Sequence, residues 1–466
     1  MLTPLFLLAL ASQFSPSHSE TIHGAVIFSR HGDRTWKGAP PTALTALGQN
    51  QMYDSGTYWR SRYCASDSAY KISGLSEYVY NPTQLIAAAP NQPLLVTSGQ
   101  AFLQGLYPPA SASASETLAN GTTLEPPLSG FQYAPLSTVL DDSPETIWLK
   151  GDDGCPAHDT SAAGWNSSAS FSALLKSTTK FYLAFYPGIF AGVLPAAKMS
   201  YANAFTIFDY INVGVIHNRT IAKAVSATDL FHFRTLADSA EYAQNAATSP
   251  SDARAVSGRT LAQRILTQFS TIIASQGKKN KLALFIGSYD TFLSFFGLAG
   301  LPGVDKDFYG LPVYASALSF ELYSSSSTFP AENDLRVRFL FRNGTGANAR
   351  EFPIFGKSGL KWAEFKEAME KIALGSVKEW CGFCGSDEAF CKQYQDSGEK
   401  GETAAAAGNG GSLHRPAVAG VLGAMVTLCV VAIAGIAAVA AGLRVTRRRR
   451  GEGVAVASDK GSVVSE

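Results

Sequence analysis

Charge of a single sign is what this chain lacks first. Of its 466 residues only 16% are charged, and 38 Lys+Arg against 37 Asp+Glu leave a formal net charge of +1. A nucleic-acid binder normally shows a basic face and a high pI, so near-neutrality argues against that class. Disorder is excluded from the other direction, because 46% of the residues are hydrophobic. No internal repeat is present. Long apolar runs are also missing from the middle of the chain, since the excess sits in two blocks near the termini. Setting those blocks aside leaves roughly 380 residues, enough for one large domain or two smaller ones.

The terminal blocks differ in kind. Leu2–Ala11 (LTPLFLLALA) is too short to span a bilayer and is followed by small and polar residues, which predicts a secretory signal peptide over 1–19. Pro416–Leu443 runs for 28 residues without a charge, where about 20 suffice to cross a membrane. Arg444 and Arg447–Arg450 follow at once, a basic flank that predicts a single-pass anchor over 416–443 with the N-terminal bulk outside the cytosol. A linker over 396–415 and a cytoplasmic tail over 444–466 complete this reading, with the cell surface or vacuole as the destination.

Sequons at Asn120, Asn166, Asn218 and Asn343 agree with a secretory route. Five cysteines precede the anchor: Cys64, Cys155, Cys381, Cys384 and Cys391. An oxidising compartment makes two disulfides and one remaining thiol the default, with connectivity open. Cys381-Gly382-Phe383-Cys384 has the spacing of a redox motif, but it trails an apparent helix instead of opening one after a strand. No fourth ligand accompanies these cysteines, so no metal site is expected.

Between the ends, Ile22–Ser29 (IHGAVIFS) reads as a buried strand and Thr45–Tyr63 as a helix closed by Arg60 and Arg62. Residues 108–170 are rich in Pro, Ser, Gly and Ala, as in long loops or an inserted subdomain. From Gly258 a helical apolar period leads into the strand Lys281–Gly287 and a helix start at Thr291, and Trp362–Leu374 is a further helix. Strand, helix and strand with continuous apolar runs predict a parallel sheet covered on both faces.

Directly after the first strand stands Arg30-His31-Gly32-Asp33-Arg34, where ligands collect at the carboxyl ends of parallel strands. Arg-His-Gly-X-Arg would occur by chance in such a chain with a probability on the order of 0.003. Here the chain resembles the histidine acid phosphatases, a branch of the histidine phosphatase superfamily, and among them the fungal secreted members. The resemblance extends to Leu44-Thr45, Arg60-X-Arg62-Tyr63, the segment Gln100–Pro108, Cys155-Pro156, Tyr289-Asp290 and Phe320-Glu321-Leu322.

The chemistry gives its own reasons for these residue types. Fork-like guanidiniums suit the oxygens of a phosphomonoester, and a neutral imidazole can attack phosphorus to give a phosphohistidine. Neighbouring positive charge disfavours imidazolium and keeps the nucleophile available in acid. The resemblance assigns His31 as nucleophile, Arg30 and Arg34 to phosphate binding, and Asp290 as the acid that protonates the leaving alkoxide. No cofactor is implied. It also implies an α/β fold, a mostly parallel sheet flanked by helices of the phosphoglycerate-mutase-like kind, with a mainly helical inserted subdomain. The extracytoplasmic domain spans 20–395, divided into core 20–110 and 250–395 and insertion 111–249.

Three departures stand out. Trp36 replaces a proline of the family's first motif. A third phosphate-binding arginine of the family falls at Leu94, and 91–99 (NQPLLVTSG) contains no Arg. Tyr289 stands where the family has the His of a His-Asp pair; as a neutral donor to substrate it cannot supply an imidazolium. The only His-Asp pair, His158-Asp159, lies in a loop-like region and is set aside. Two functional classes therefore remain. One is a phosphomonoesterase with reduced or altered activity; the other is an impaired relative that binds an anionic ligand or partner. Near-neutral charge and few lysines near the motif weigh against a highly anionic substrate.

Overall fold

The β-branched and aromatic run after Glu20 forms the central strand of a sheet, β1 (Thr21–Arg30), buried on both faces. This computed structural model describes residues 20–395. The signal peptide, linker, membrane anchor and tail expected above lie outside the described residues. Among the described residues no helix is long and apolar enough to cross a membrane.

After β1 come α1 (Ala46–Tyr63), β2 (Leu85–Pro90) and α2 (Pro93–Leu106). Turns then carry a small hairpin, β3 (Glu116–Thr117) with β4 (Thr123–Leu124), the short turn α3 (Pro127–Gly130) and β5 (Ser137–Val139). A helical stretch follows: α4 (Pro156–Gly164), α5 (Ala169–Ala184), α6 (Ala204–His217), α7 (Arg219–Ala224) and α8 (Ala227–Asn245). The chain returns to the sheet through α9 (Val256–Ala274), β6 (Leu282–Gly287) and α10 (Tyr289–Leu298). It closes with β7 (Ala317–Ser324), β8 (Arg336–Arg342), β9 (Arg350–Phe352), β10 (Leu360–Lys361), α11 (Trp362–Ile372), α12 (Val377–Cys384) and α13 (Lys392–Gln395).

The strand order is β10-β8-β7-β1-β6-β2-β5, with β9 on the free side of β8. β5, β2, β6 and β1 run parallel, which is the flanked parallel block the sequence predicts. β7, β8, β9 and β10 extend it as an antiparallel block, which the sequence reading does not anticipate. No crossover helix separates β7 from β8, and strands joined by a short connection pair antiparallel. Alternate residues of β1 enter two cores. Val26 and Phe28 pack with α9, α10 and the helical stretch, whereas Ala25 and Ile27 pack with α1 and α2.

A third, smaller core around Trp380 is tied by Cys155–Cys384 and Cys381–Cys391. Cys381 and Cys384 thus bond to different partners, as the disulfide reading of that motif requires. Cys64 keeps its thiol, and burial pushes it up to about 11, away from thiolate chemistry.

Candidate active site

His31 is the first residue beyond β1, and its backbone N–H still reaches Gly287 O at the end of β6 (3.3 Å). Because Arg30 and Gly287 are in register, the chain leaves both strands at the same level, and α10 opens there with Tyr289 and Asp290. The sheet therefore brings together the two sequence signals that were far apart in the chain. Leu94 lies buried in the first turn of α2, beyond the carboxyl end of β2, so the third arginine is absent from its own helix.

The motif loop is braced on every side. A Cβ on Gly32 would collide with the backbone of Gly48, and one on Gly48 with Asp33 O, so two glycines let α1 press against the loop. Thr45 caps α1 by accepting from Gly48 N (3.1 Å), and its hydroxyl donates to Asp33. Asp33 also pairs with His217 Nε2 at the end of α6 (2.6 Å). Farther up α6, Asp209 Oδ2 accepts from Arg34 (2.9 Å) and from Lys37 N (3.1 Å). Trp36, in place of the proline, donates to Thr206 O (3.3 Å) and packs edge-on against Tyr210.

Inside this brace His31 is 1% exposed, Arg34 0% and Arg30 6%. His31 Nδ1 is 2.8 Å from Gly32 O, which places the ring proton on Nδ1 and leaves Nε2 a bare lone pair. Among the described residues Nε2 is buried without a hydrogen-bond partner, and so are Arg30 Nε and Arg34 Nε and Nη2. Burial first, then Arg30 and Arg34, hold His31 well below its usual 6.5. Arg30 lies over the rings of Tyr314 (4.7 Å) and Tyr289 (5.2 Å), and one of its terminal nitrogens donates to Pro312 O.

Lys37, which the sequence reading passed over, sits over Tyr289 (5.2 Å) and Phe205 (5.6 Å). The residue is exposed overall, yet partial desolvation of its ammonium lowers its pKa; Asp290 opposes that shift and both guanidiniums reinforce it. Its ammonium group puts a cation beside Tyr289. Tyr289 lies near Glu241 of α8, and burial pushes Glu241 up to about 7. Asp152, held near α4 with an unpartnered buried Oδ1, rises to about 6 through burial and then the charge of Asp290. His158 opens α4 in a helix instead of a loop and acts on the same Asp152. Only Lys37 lay within local sequence reach of the motif. Asp209, His217, Glu241 and Asp152 arrive from other elements and carried no local signal.

Of the sequons, Asn120, Asn166 and Asn218 are exposed. Asn343 is partly buried, its Oδ1 taken by Val313 N (3.1 Å) and Ser316 Oγ (3.0 Å). Among the described residues no group of His, Cys, Asp and Glu is placed to hold a metal ion.

Solved structures with the same fold include the phytase from Citrobacter braakii (12% identity, 77% of this chain and 99% of that one, TM-score 0.50). Klebsiella sp. ASR1 phytase (10%, 76% and 96%, 0.52) and apo Hafnia alvei phytase (12%, 78% and 99%, 0.51) are similar to it as well. At such identities the likeness speaks for the fold alone. No curated protein matches the sequence. The family model for the histidine phosphatase superfamily (branch 2) matches residues 35–342. That match runs from the residue after the motif to the last residue of β8 and takes in β2, β5 and β6 of the parallel block with β7 and β8 of the antiparallel one, so the chain belongs to the histidine phosphatase superfamily, branch 2.

Proposed function

We propose that the protein is a phosphomonoesterase that works through a phosphohistidine on Nε2 of His31. The family is one of phosphatases, and the observation that carries the finer reading is the cluster of buried, unpartnered nitrogens on His31, Arg30 and Arg34. Buried polar groups are almost always satisfied, so a converging set that is not marks a place for a ligand with oxygens to accept from it.

Nε2 attacks phosphorus, the P–O bond to the alcohol breaks, and Asp290 gives its proton to the departing alkoxide. Asp290 then takes a proton from water as that water attacks phosphorus and the P–N bond breaks, which returns His31 to its neutral form. Arg30, Arg34 and Lys37 hold the oxygens as charge builds on them. Tyr289 orients Lys37 and lends one neutral donor. Removing a single oxyanion donor costs about 10²–10³-fold in turnover. With Leu94 in place of an arginine and Lys37 beside Tyr289, the expected enzyme is slower than a fully equipped one, or differently selective.

A second reading, a non-catalytic binder of anionic ligands, draws on the same Leu94 and Tyr289. Restoring Leu94→Arg with Tyr289→His would then create activity where the unmodified chain has none. The disulfides suit an oxidising compartment. With the terminal apolar segments they support a domain held outside the cytosol by a single-pass anchor, glycosylated at Asn120, Asn166 and Asn218, and at Asn343 if its amide is released. The deciding experiment is phosphate release from a generic aryl phosphate between acidic and neutral pH. Activity in the unmodified protein and none in His31→Ala supports the enzyme; equal activity in both overturns it.

A further inference from the structure

A cavity of about 280 Å³ opens beside the motif, small against the roughly 300–1,000 Å³ of ordinary ligand sites. Its lining mixes Phe205, Phe208, Ile216 and Tyr314 with the polar Arg30 and Asn212. Tyr314 has a singular position, its ring within 4.7 Å of the Arg30 guanidinium, 5.8 Å of that of Arg34 and 5.7 Å of the His31 ring. The loop that carries it is fixed at each end. Ala315 N donates to His31 O (3.0 Å), and Asn343 Oδ1 binds Val313 N and Ser316 Oγ. Ala315 itself takes a left-handed backbone (φ 58°), an orientation this loop must hold against steric cost.

Cations beyond the first phosphate are scarce. Among the described residues lining the cavity only Arg30 and Arg234 are cationic, and Arg234 is already engaged by Leu311 O and Asp238 (3.6 Å). Arg34 is engaged by Asp209. Asp209 is itself part of the lining, so a second phosphate would meet a carboxylate where it needs donors.

We propose that the site selects esters carrying one phosphate on a flat, aromatic or otherwise apolar alcohol, with Tyr314 as the residue that sets this choice, and rejects alcohols bearing several phosphates. The proposal deepens the phosphomonoesterase reading and rests on it for turnover, though not for binding. The alcohol's ring packs against Tyr314 and Phe208 while its phosphate faces His31.

Two measurements separate the layers. Calorimetric titration with benzylphosphonate and methylphosphonate, which cannot be hydrolysed, reads the lining alone. Turnover of benzyl phosphate, glycerol 2-phosphate and inositol hexakisphosphate reads the same choice during reaction, the first two having alkoxide leaving groups of similar basicity. Burying one ring should favour the benzyl ligand about ten- to a hundredfold in Kd and in kcat/KM. Tyr314→Ala and Phe208→Ala should each shrink that ratio, mostly through KM, and Tyr314→Phe should keep it. Inositol hexakisphosphate should be the poorest substrate. Turnover without the benzyl preference, a ratio untouched by Tyr314→Ala, or hexakisphosphate as the best substrate would overturn the proposal. Benzyl preference in binding without any turnover would uphold the selectivity and instead defeat the phosphomonoesterase reading.

Discussion

Arg62 and Arg338 in one cluster and Arg30 and Arg34 in another are all largely buried, yet their surroundings are opposite. Glu321, fully buried on β7, receives Arg62 Nε (2.6 Å) and Arg338 Nε (2.5 Å), and Arg338 reaches Glu20 as well (2.6 Å). Tyr70 lies under Arg62, with its ring centroid 3.7 Å away. Both oxygens of Glu321 are used, and among the described residues Arg338 Nη2 is the one buried nitrogen of the pair without a partner. Five residues farther along β1 than this cluster, Arg30 has no carboxylate partner among the described residues, and Arg34 has one with two nitrogens left over. A buried charge normally keeps its partner because losing it costs several kcal/mol. The first cluster obeys that rule and is structural. The second violates it where two strands end side by side and a histidine lone pair is also bare, which is where a bound anion would restore the balance.

Substitutions can sharpen this contrast. The largest effect belongs to His31→Ala, expected to lower kcat by roughly 10⁴–10⁶-fold while leaving the melting temperature near that of the unmodified protein. Steady-state assay alongside calorimetry checks both halves. Arg34→Ala should cost about 10²–10³-fold in kcat/KM, read in the same assay. Glu321→Ala should do the reverse. Leaving Arg62 without its carboxylate and Arg338 with only the exposed Glu20 should remove about 3–5 kcal/mol of stability in urea unfolding, with kcat/KM per folded molecule unchanged. Loss of activity in that variant before any unfolding would erase the division between the two clusters.

The smallest effect is one of pH. Burial raises Asp152 from 3.8 to about 6 and Glu241 from 4.5 to about 7. As pH rises through these intervals the unfolded chain releases the protons first. Each group's stabilising share is therefore whole near pH 4 and is lost as pH climbs to about 6 for Asp152 and about 7 for Glu241. Asp152→Asn should melt close to the unmodified protein at pH 4 and a few degrees above it at pH 7. A difference independent of pH would mean that Asp152 is not held protonated by its surroundings.

Much of this was legible in the chain itself. The run Ile22–Ser29, the helix ending in Arg60 and Arg62, and the strand before Tyr289 all carry short-range periodicity, and each appears within a residue or two of where it was expected. The motif was visible because its residues are consecutive. The antiparallel block and the helices that brace the motif were not, since their meaning depends on pairing across long separations. His217 and Asp209 reach the motif only because α6 lies across residues 33–37. Lys37 is the instructive omission. It sits three residues past Arg34, yet nothing in the sequence showed that Tyr289 would lie under its ammonium group. The disulfide pairing likewise needed the fold, because Cys155 and Cys384 are 229 residues apart.

The most direct test of the central claim is to look for the phosphoryl group on His31. A benzyl phosphate reaction quenched in alkali, where phosphohistidine survives, should yield a protein heavier by one phosphoryl group. Fragmentation should place that group on the peptide containing residues 30–34, and His31→Ala should lack it. Substrate turned over at a normal rate with no such adduct, or an adduct on another residue that persists in His31→Ala, would contradict the account.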